Sequence, residues 1–284
     1  LKESNKLNDV EISLNNINKF KIPDVSKINF FSSKFIDNKN KKIRMEFDDI
    51  KTDFVTLNFF INISDLDDDN RRLLPIFANT FFKSNLNKDN LIEYQKVLSM
   101  LTKTFIDYGC RLYSPFLELI SFKFVFEISK INDAIQIIEN LFWYSETPSE
   151  RIKIIIDKKI TNILASRKSG NSIKNYVLTE LNYNKKSSTG LTNPINYIKF
   201  LENQKKNYNE KEMESNYKKL KEKLFSQNNI LLHIIGDNDK LYNVIESFIN
   251  KIADRFNNEY NLKKIKPSPD SILDINARIK KYVC

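Results

Sequence analysis

Leu117-Glu-Leu-Ile-Ser-Phe-Lys-Phe-Val-Phe-Glu-Ile128 is the stretch of this sequence that decides the fold. Its even-numbered positions from Ile120 to Ile128 are all isoleucine or phenylalanine, whereas the odd-numbered positions include the polar Ser121 and Lys123. Successive side chains of a β-strand point to opposite faces of the sheet, so one face of this strand is strongly apolar and the other is partly polar. This pattern is typical of an antiparallel sheet that packs against helices on one face and contacts solvent on the other.

The rest of the chain alternates between further strand patterns and helix patterns. Period-two alternation and β-branched or aromatic enrichment predict strands at 42–47, 54–63, 108–113 and 230–235. Apolar residues at helical spacing predict helices at 70–83, 91–104, 131–144, 149–168, 172–181, 197–205, 209–225 and 240–256. We expect Leu91 and Leu98 to belong to the buried stripe of the second helix, and Ser149 to be an N-cap. The sequence therefore predicts an α+β fold.

Composition gives the expected domain organisation. The chain has 284 residues, of which 41% are hydrophobic, and this favours a packed globular protein over a disordered one. Residues 1–28 are predicted to be a lead-in or linker from a preceding domain, residues 29–256 the α+β domain, and residues 257–284 a linker and the start of a following domain. Because the first residue is leucine and no apolar signal segment follows, we expect a fragment of a longer polypeptide. No apolar run of 18 or more residues occurs, so no membrane span is expected.

Charge and cysteine content limit the expected partners and compartment. The 46 basic and 36 acidic residues give a net charge of +10, which by itself suits a polyanionic partner. The excess consists mostly of scattered lysines beside asparagines, and no arginine-rich or glycine–aromatic motif concentrates it. We therefore expect a solvated basic surface and no nucleic-acid partner. Cys110 and Cys284 are too few for a disulfide framework or a zinc knuckle, which indicates a reducing, intracellular compartment.

His233, the only histidine of the chain, is the residue on which a metal or hydrolytic site would depend. A zinc hydrolase needs several nitrogen or thiolate donors, and neither His-Glu-x-x-His nor its inverted form occurs. A Ser–His–acid triad with His233 as base is formally possible, but there is no Gly-x-Ser-x-Gly elbow. No phosphate-binding glycine loop occurs either. We predict that His233 is a sheet-face or core histidine with one hydrogen bond, and that the chain has no catalytic and no metal-binding residue; the sequence identifies no substrate-binding residue.

A series of short phrases is similar to segments of one known family. These are Thr52-Asp-Phe-Val-Thr-Leu57, Leu74-Pro-Ile-Phe77 with Phe81-Phe82, Tyr94-Gln-Lys-Val97, Phe105-Ile-Asp-Tyr108, Glu127-Ile-Ser-Lys-Ile-Asn-Asp-Ala134, Arg167-Lys-Ser-Gly170 and Leu232-His-Ile-Ile-Gly-Asp237. Together they resemble the third, non-catalytic domain of the presequence proteases and a related set of cytosolic enzymes, one branch of the insulinase/pitrilysin (M16) metallopeptidase superfamily. The resemblance covers roughly residues 22–256.

This resemblance implies a two-layer LuxS/MPP-like α+β fold, with an antiparallel-rich mixed sheet of about five or six strands backed by helices. It implies a parent zinc metallopeptidase whose domains close around a chamber for unfolded peptides. Zinc is then expected in the first domain of the parent, and no cofactor in this chain, which should be inactive alone. Its partners would be the other domains of the same polypeptide and the unfolded peptide. Family members are cytosolic or mitochondrial.

Two other functions remain compatible with the same residues. A structural or assembly module on the same fold, like the non-catalytic core subunits of respiratory complexes, would lack an inverted His-x-x-Glu-His motif upstream in the parent gene. A basic nucleic-acid-binding domain, the least favoured alternative, would show salt-dependent binding of nucleic acid.

Overall fold

The structure, a computed structural model, describes residues 32–36, 44–113, 117–226 and 230–253. Strands within these ranges are β1 (Ser32–Ile36), β2 (Arg44–Asp49), β3 (Phe54–Asn62), β4 (Asn85–Asn87), β5 (Leu91–Ile92), β6 (Phe105–Tyr113), β7 (Leu119–Glu127), β8 (Ser145–Glu146) and β9 (Ile230–Gly236). The predicted linkers at 1–28 and 257–284 lie outside the described residues, so the domain boundaries stay a prediction.

Helices make up most of the remaining described chain. They are α1 (Asp68–Thr80), α2 (Tyr94–Thr104), α3 (Ile131–Tyr144), α4 (Ser149–Ser166), α5 (Gly170–Asn182), α6 (Ser188–Leu191), α7 (Pro194–Lys206), α8 (Glu210–Ser226) and α9 (Asn238–Ala253). Asp67 caps α1 by accepting a hydrogen bond from the Asn70 backbone N–H at 2.9 Å. Within the described ranges, no helix has the length and apolar character needed to cross a membrane.

Six strands form the main sheet in the order β1-β2-β9-β3-β7-β6. All neighbouring strands in it are antiparallel except β2 and β9, which pair in parallel. Strand β9, from the C-terminal part of the described chain, thereby lies between β2 and β3 from its N-terminal part. The predicted antiparallel-rich mixed sheet is confirmed.

The apolar face of this sheet and the helices that cover it form the core. Alternate residues of β3, from Val55 to Ile61, are at most 1% exposed, and the phenylalanines of β7 at 122, 124 and 126 are fully buried. Aromatic rings join the two layers: Phe59 and Phe142 meet edge to face with centroids 4.9 Å apart, and Phe142 stacks on Phe225 at 4.5 Å. The burial of these faces confirms the predicted two-layer α+β arrangement.

The second helix differs from its prediction at its start. Leu91 and Ile92 pair with β4 in a three-stranded sheet of order β5-β4-β8, and α2 begins only at Tyr94, whose backbone N–H donates to the Asn85 side chain at 2.8 Å. Leu91 is 61% exposed and Leu98 40% exposed, so the prediction that both belong to the buried stripe was wrong. The pairing of Leu91 in β5 explains why it leaves the helical face.

The predicted N-cap at Ser149 was also wrong. Pro148 holds the cap position of α4, and Ser149 is its first helical residue. The Ser149 backbone N–H donates instead to the Glu214 carboxylate at 3.3 Å, so a side chain of α8 satisfies this exposed donor. The start of α4 is therefore stabilised by a tertiary contact that local sequence does not reveal.

Helix α8 carries the thin apolar stripe that its sequence predicts, and this stripe is buried. Met213, Tyr217, Leu220 and Leu224 are all at most 4% exposed. The remaining positions of the helix are largely charged and exposed. One side of helix α8 is therefore exposed to solvent, and its other side packs against the core.

Candidate functional site

The face of the main sheet that points away from the buried core is a candidate functional surface, and we call it the open face. Strand pairing aligns two full rows of its residues: Glu46, His233, Asn58, Lys123 and Gly109 in one row, and Asp48, Ile235, Thr56, Val125 and Asp107 in the next. These residues are half-exposed or exposed, whereas the alternate positions of β3 and β9 are buried. The open face is therefore broad, accessible and of mixed polarity.

His233 lies on the open face, in strand β9, which pairs with β2 on one side and with β3 on the other. Its Nε2 is 2.8 Å from Asp48 Oδ2, and the two side chains are 22% and 19% exposed. The single hydrogen bond that the sequence predicts for this histidine is confirmed. Because Asp48 belongs to β2, this hydrogen bond fastens the β1–β2 pair to β9 across the parallel junction.

A second polar pair lies at the other side of the open face. Lys123 Nζ donates to Asp107 Oδ2 at 2.8 Å, with 44% and 56% of the two side chains exposed. This hydrogen bond, more than any other contact, lowers the pKa of Asp107 below its usual value. An exposed pair of this kind adds little to stability, about 0–1 kcal/mol. Its charges remain accessible to a ligand.

Aromatic side chains give the open face apolar contact area. Phe60 and Tyr113 meet with ring centroids 5.9 Å apart, and Tyr113 is 42% exposed. Phe54, at the opposite end of β3, is 50% exposed. Accessible aromatic rings on the same face as exposed charged side chains can contact both the side chains and the backbone of an extended peptide.

The chemistry of the open face is that of non-covalent contact. His233 has Glu46 and Asn58 as its direct cross-strand neighbours, and neither side chain is a nucleophile of the Ser or Cys type. Among the residues that the structure describes, no group of three or more His, Cys, Asp or Glu side chains could hold a metal ion. That the chain has no catalytic or metal-binding residue stays a prediction.

The turn that follows β9 is held by a charged cluster at one edge of the sheet. Lys51 Nζ lies 2.9 Å from Asp237 and 2.7 Å from Asp239, and these hydrogen bonds raise the pKa of Lys51 and lower that of Asp237. The Asn238 backbone N–H also donates to the Asp49 carboxylate at 3.1 Å. Together these contacts fix how α9 leaves the strand that carries His233.

A cavity of about 970 Å³ is the second candidate site, and we call it the aromatic cavity. It lies where the end of α3 and strands β4 and β8 meet α8. Its apolar lining consists mainly of Phe77, Phe81, Phe142 and Phe225, each at most 3% exposed, and its polar lining includes Asn85, Asn87, Glu146, Glu214, Lys218, Lys221 and Glu222. Cavities of a few hundred to 1,000 Å³ are the usual size of small-molecule sites.

Lys221 is the most unusual polar group of the aromatic cavity. Burial lowers the pKa of its ammonium group from 10.5 to about 8. Its Nζ donates to the Ser145 backbone carbonyl and lies 3.5 Å from the Ser145 hydroxyl. The sequence does not predict this site, because α8 reads as a charged surface helix and nothing in the local pattern distinguishes Lys221 from its exposed neighbours.

Comparison with known proteins rests on the fold. No family model matches the sequence, and no curated protein sequence matches it. The peptidase M16 inactive domain from Pseudomonas fluorescens is similar in structure, with a TM-score of 0.55, 10% sequence identity, and coverage of 81% of this chain and 52% of that one. A protease from Helicobacter pylori gives a TM-score of 0.55 at 12% identity, over 84% of this chain and 53% of that one.

A conserved protein from Enterococcus faecalis has the same TM-score of 0.55, with 10% identity over 76% of this chain and 52% of that one. The chain therefore spans about half the length of the solved structures that it matches. At these identities the likeness concerns the fold. The chain has the α+β fold that its sequence predicts, and it shares this fold with the peptidase M16 inactive domain.

Proposed function

We propose that this chain is a non-catalytic domain of a zinc metalloendopeptidase of the M16 superfamily, in its presequence-protease-like branch. In this proposal the domain forms part of the closed chamber that holds unfolded peptide substrates. The observation that carries the proposal is the structural likeness to a peptidase M16 inactive domain over 81% of the chain. The series of sequence phrases from Thr52 to Asp237 independently supports the same superfamily.

Two features of the chain support a non-catalytic role inside a larger enzyme. A single histidine and two cysteines are too few for a hydrolytic zinc site, so the zinc would be held by another domain of the parent. The solved structures that match are also about twice as long as the matching region. The partners of this domain would then be the other domains of the same polypeptide.

The open face is the surface that suits contact with a peptide. Its exposed aromatic rings, Phe54 and Tyr113, can contact apolar side chains, and the exposed charges of Lys123 and Asp107 can contact polar ones. Because contacts of this kind are spread over several strands, they bind many sequences weakly. A chamber for unfolded peptides requires this breadth more than it requires selectivity.

The test uses the full-length parent enzyme with two matched charge reversals. Lys123→Glu changes the open face, whereas Lys96→Glu makes the same change at an exposed position of α2. A charge reversal within several ångströms of a bound peptide changes its binding by about 1 kcal/mol, or roughly fivefold. We expect Lys123→Glu to raise KM for acidic peptides and lower it for basic ones, with kcat for a short neutral peptide unchanged. Lys96→Glu should leave KM within about twofold of the unchanged enzyme.

Three outcomes would contradict the proposal. One is a parent gene without an inverted His-x-x-Glu-His motif upstream, which favours the assembly module. Another is stoichiometric zinc or chelator-sensitive peptide cleavage in the purified 284-residue chain. The third, equal effects of Lys123→Glu and Lys96→Glu on KM, would remove the open face from the peptide-binding surface while leaving the domain assignment intact.

A further inference from the structure

We propose that the aromatic cavity binds a small apolar carboxylate, whose carboxylate group pairs with Lys221 and whose apolar body lies on the phenylalanine floor. This proposal concerns a site separate from the open face and does not depend on the proposed peptidase role. It follows from the shape of the cavity, from an ammonium group that forms no ion pair among the described residues, and from a buried tyrosine hydroxyl that forms no ordinary hydrogen bond with them.

The floor of the cavity is suited to an apolar group of small-molecule size. The rings of Phe142 and Phe225 stack with their centroids 4.5 Å apart, and Phe81 lies 6.1 Å from each of them. These rings are almost fully buried, yet they line a space of about 970 Å³. An apolar ligand in this space would remove water mainly from the half-buried Trp143 and Tyr144, which also line it, at a gain of roughly 25 cal/mol per Å² of apolar area.

Lys221 supplies a cation that lacks a paired carboxylate among the described residues. In the part of the chain that the structure describes, its hydrogen bonds go to the backbone carbonyl and hydroxyl of Ser145, and no carboxylate forms an ion pair with it. A partly buried ammonium group without a paired carboxylate is costly, and an anion that enters the cavity would reduce this cost. A carboxylate can also accept a charge-assisted hydrogen bond from the Lys221 ammonium group.

Two of the carboxylates around the cavity have other partners. Glu146 on β8 accepts from the Asn87 side chain at 3.2 Å, and Glu214 on α8 accepts from the Ser149 backbone N–H at 3.3 Å. The remaining titratable side chains of the lining are Tyr144, Tyr217, Lys218 and Glu222. Glu146 and Glu222 raise the pKa of Lys221 and Lys218 lowers it, but burial is the largest effect. The amine therefore still carries its proton at neutral pH and loses it as the pH rises through about 8.

Tyr217 offers a second donor for the same ligand. It lines the cavity and is 4% exposed, and among the described residues its hydroxyl forms no hydrogen bond of ordinary length, although the Thr80 hydroxyl lies nearby. Burial raises the pKa of this hydroxyl well above its usual value, and the Thr80 hydroxyl nearby offsets only part of that effect. The Tyr217 hydroxyl therefore keeps its proton and remains available to donate to a carboxylate oxygen.

The test exploits Trp143, the only tryptophan of the chain, which lines the cavity. Trp143 fluorescence of the 284-residue chain is titrated with 4-phenylbutyrate and with its neutral match, 4-phenylbutyramide. We expect saturable binding of the acid and at least about tenfold weaker binding of the amide, since a hydrogen bond to a charged group contributes about 1.5–3 kcal/mol. N-acetyl-Ala-Ala-Phe with a free or an amidated C-terminus distinguishes a peptide end from a free small acid as the source of the carboxylate.

Two variants and the pH assign the effect to Lys221. Lys221→Met keeps a side chain of similar length and should lose the preference for the acid, whereas Lys219→Met, at an exposed position of the same helix, should keep it. Binding of the acid should weaken as the pH rises through about 8, because the amine then loses its charge. Equal affinity for acid and amide, an unchanged preference in Lys221→Met, or no response of Trp143 in the unmodified chain would each overturn the proposal.

Discussion

Gly190, in the short helix α6, has no room for a side chain, and this gives a prediction of definite sign. A Cβ atom at this position would lie 2.2 Å from the Asn184 carbonyl oxygen and 2.9 Å from Lys185 Cα. Ordinary van der Waals contacts of a Cβ atom are 3.4 Å or longer, so the backbone of residues 184–185 would have to move away by about 1 Å. Both clashing atoms belong to the main chain, so no rotamer change can relieve them.

The same backbone atoms hold the loop before α6 together. The Asn184 carbonyl accepts from the Ser187 backbone N–H at 3.0 Å and from the Ser187 hydroxyl at 2.7 Å, and that hydroxyl accepts from the Gly190 N–H at 3.0 Å. Beside it, the Ser188 backbone N–H donates to the buried Glu118 carboxylate at 2.9 Å. A shift of the loop would therefore disturb several hydrogen bonds at once, at about 1 kcal/mol for each neutral one.

Gly190→Ala is expected to lower the free energy of unfolding by about 2–4 kcal/mol. Overpacking and lost hydrogen bonds cost roughly 3–5 kcal/mol, and the better helix propensity of alanine returns about 1 kcal/mol. The control is Gly170→Ala at the start of α5, where a Cβ would meet nothing within 4 Å, and it should be neutral or stabilising by up to about 1 kcal/mol. Urea denaturation followed by circular dichroism measures both. An alanine at 190 as stable as glycine would refute the reasoning.

Three further changes test the cap, the core and the buried lysine, each by denaturation of the variant and the unmodified chain. Asp67→Ala should cost about 1 kcal/mol at pH 7. Because the cap lowers the pKa of Asp67 from 3.8 to about 2, that difference should fade as the pH drops from about 4 to 2; persistence at pH 2 would contradict it. Phe59→Ala should cost about 3–5 kcal/mol, whereas Phe60→Ala on the open face should cost under about 2; equal costs would mean that the two faces are assigned incorrectly. Lys221→Met should raise stability at pH 7 by about 1–3 kcal/mol. A folded pKa of about 8 against 10.5 unfolded penalises the charged form, so the gain should disappear as the pH rises from 8 to 10.5, and a pH-independent gain would exclude this cause.

Local patterns in the sequence were sufficient for five of the six strands of the main sheet, whereas strand β1 (Ser32–Ile36) was not predicted. The alternation at 117–128 fixes which residues of β7 enter the core, and the bounds of α3 at Ile131 and Tyr144 follow from its apolar stripe. The parallel pairing of β2 with β9 could not be predicted in the same way, because register between strands nearly 190 residues apart leaves no trace in either strand alone. The resemblance to a known family implied a mixed sheet of about five or six strands, but it did not give this pairing.

The candidate sites were much harder to predict than the fold. His233 could be placed on a strand, but its partner Asp48 depends on the long-range pairing. The strands β5 and β8 have two residues each, too few to show a period, and one of them redirects Leu91. The aromatic cavity combines side chains of α1, α3, β4, β8 and α8, so it exists only after the elements have packed.

The position of β9 has a consequence for how the chain is made. Among the described strands, β2 joins the rest of the main sheet through β9 alone, and β9 begins at Ile230. The ribosome must therefore synthesise more than 200 residues before β2 can pair with β9 and join the rest of the sheet. Until then the edges of β2 and β3 are unpaired in the nascent polypeptide, and unpaired edges invite aggregation. Release of a product that stops before Ile230 should accordingly yield insoluble material.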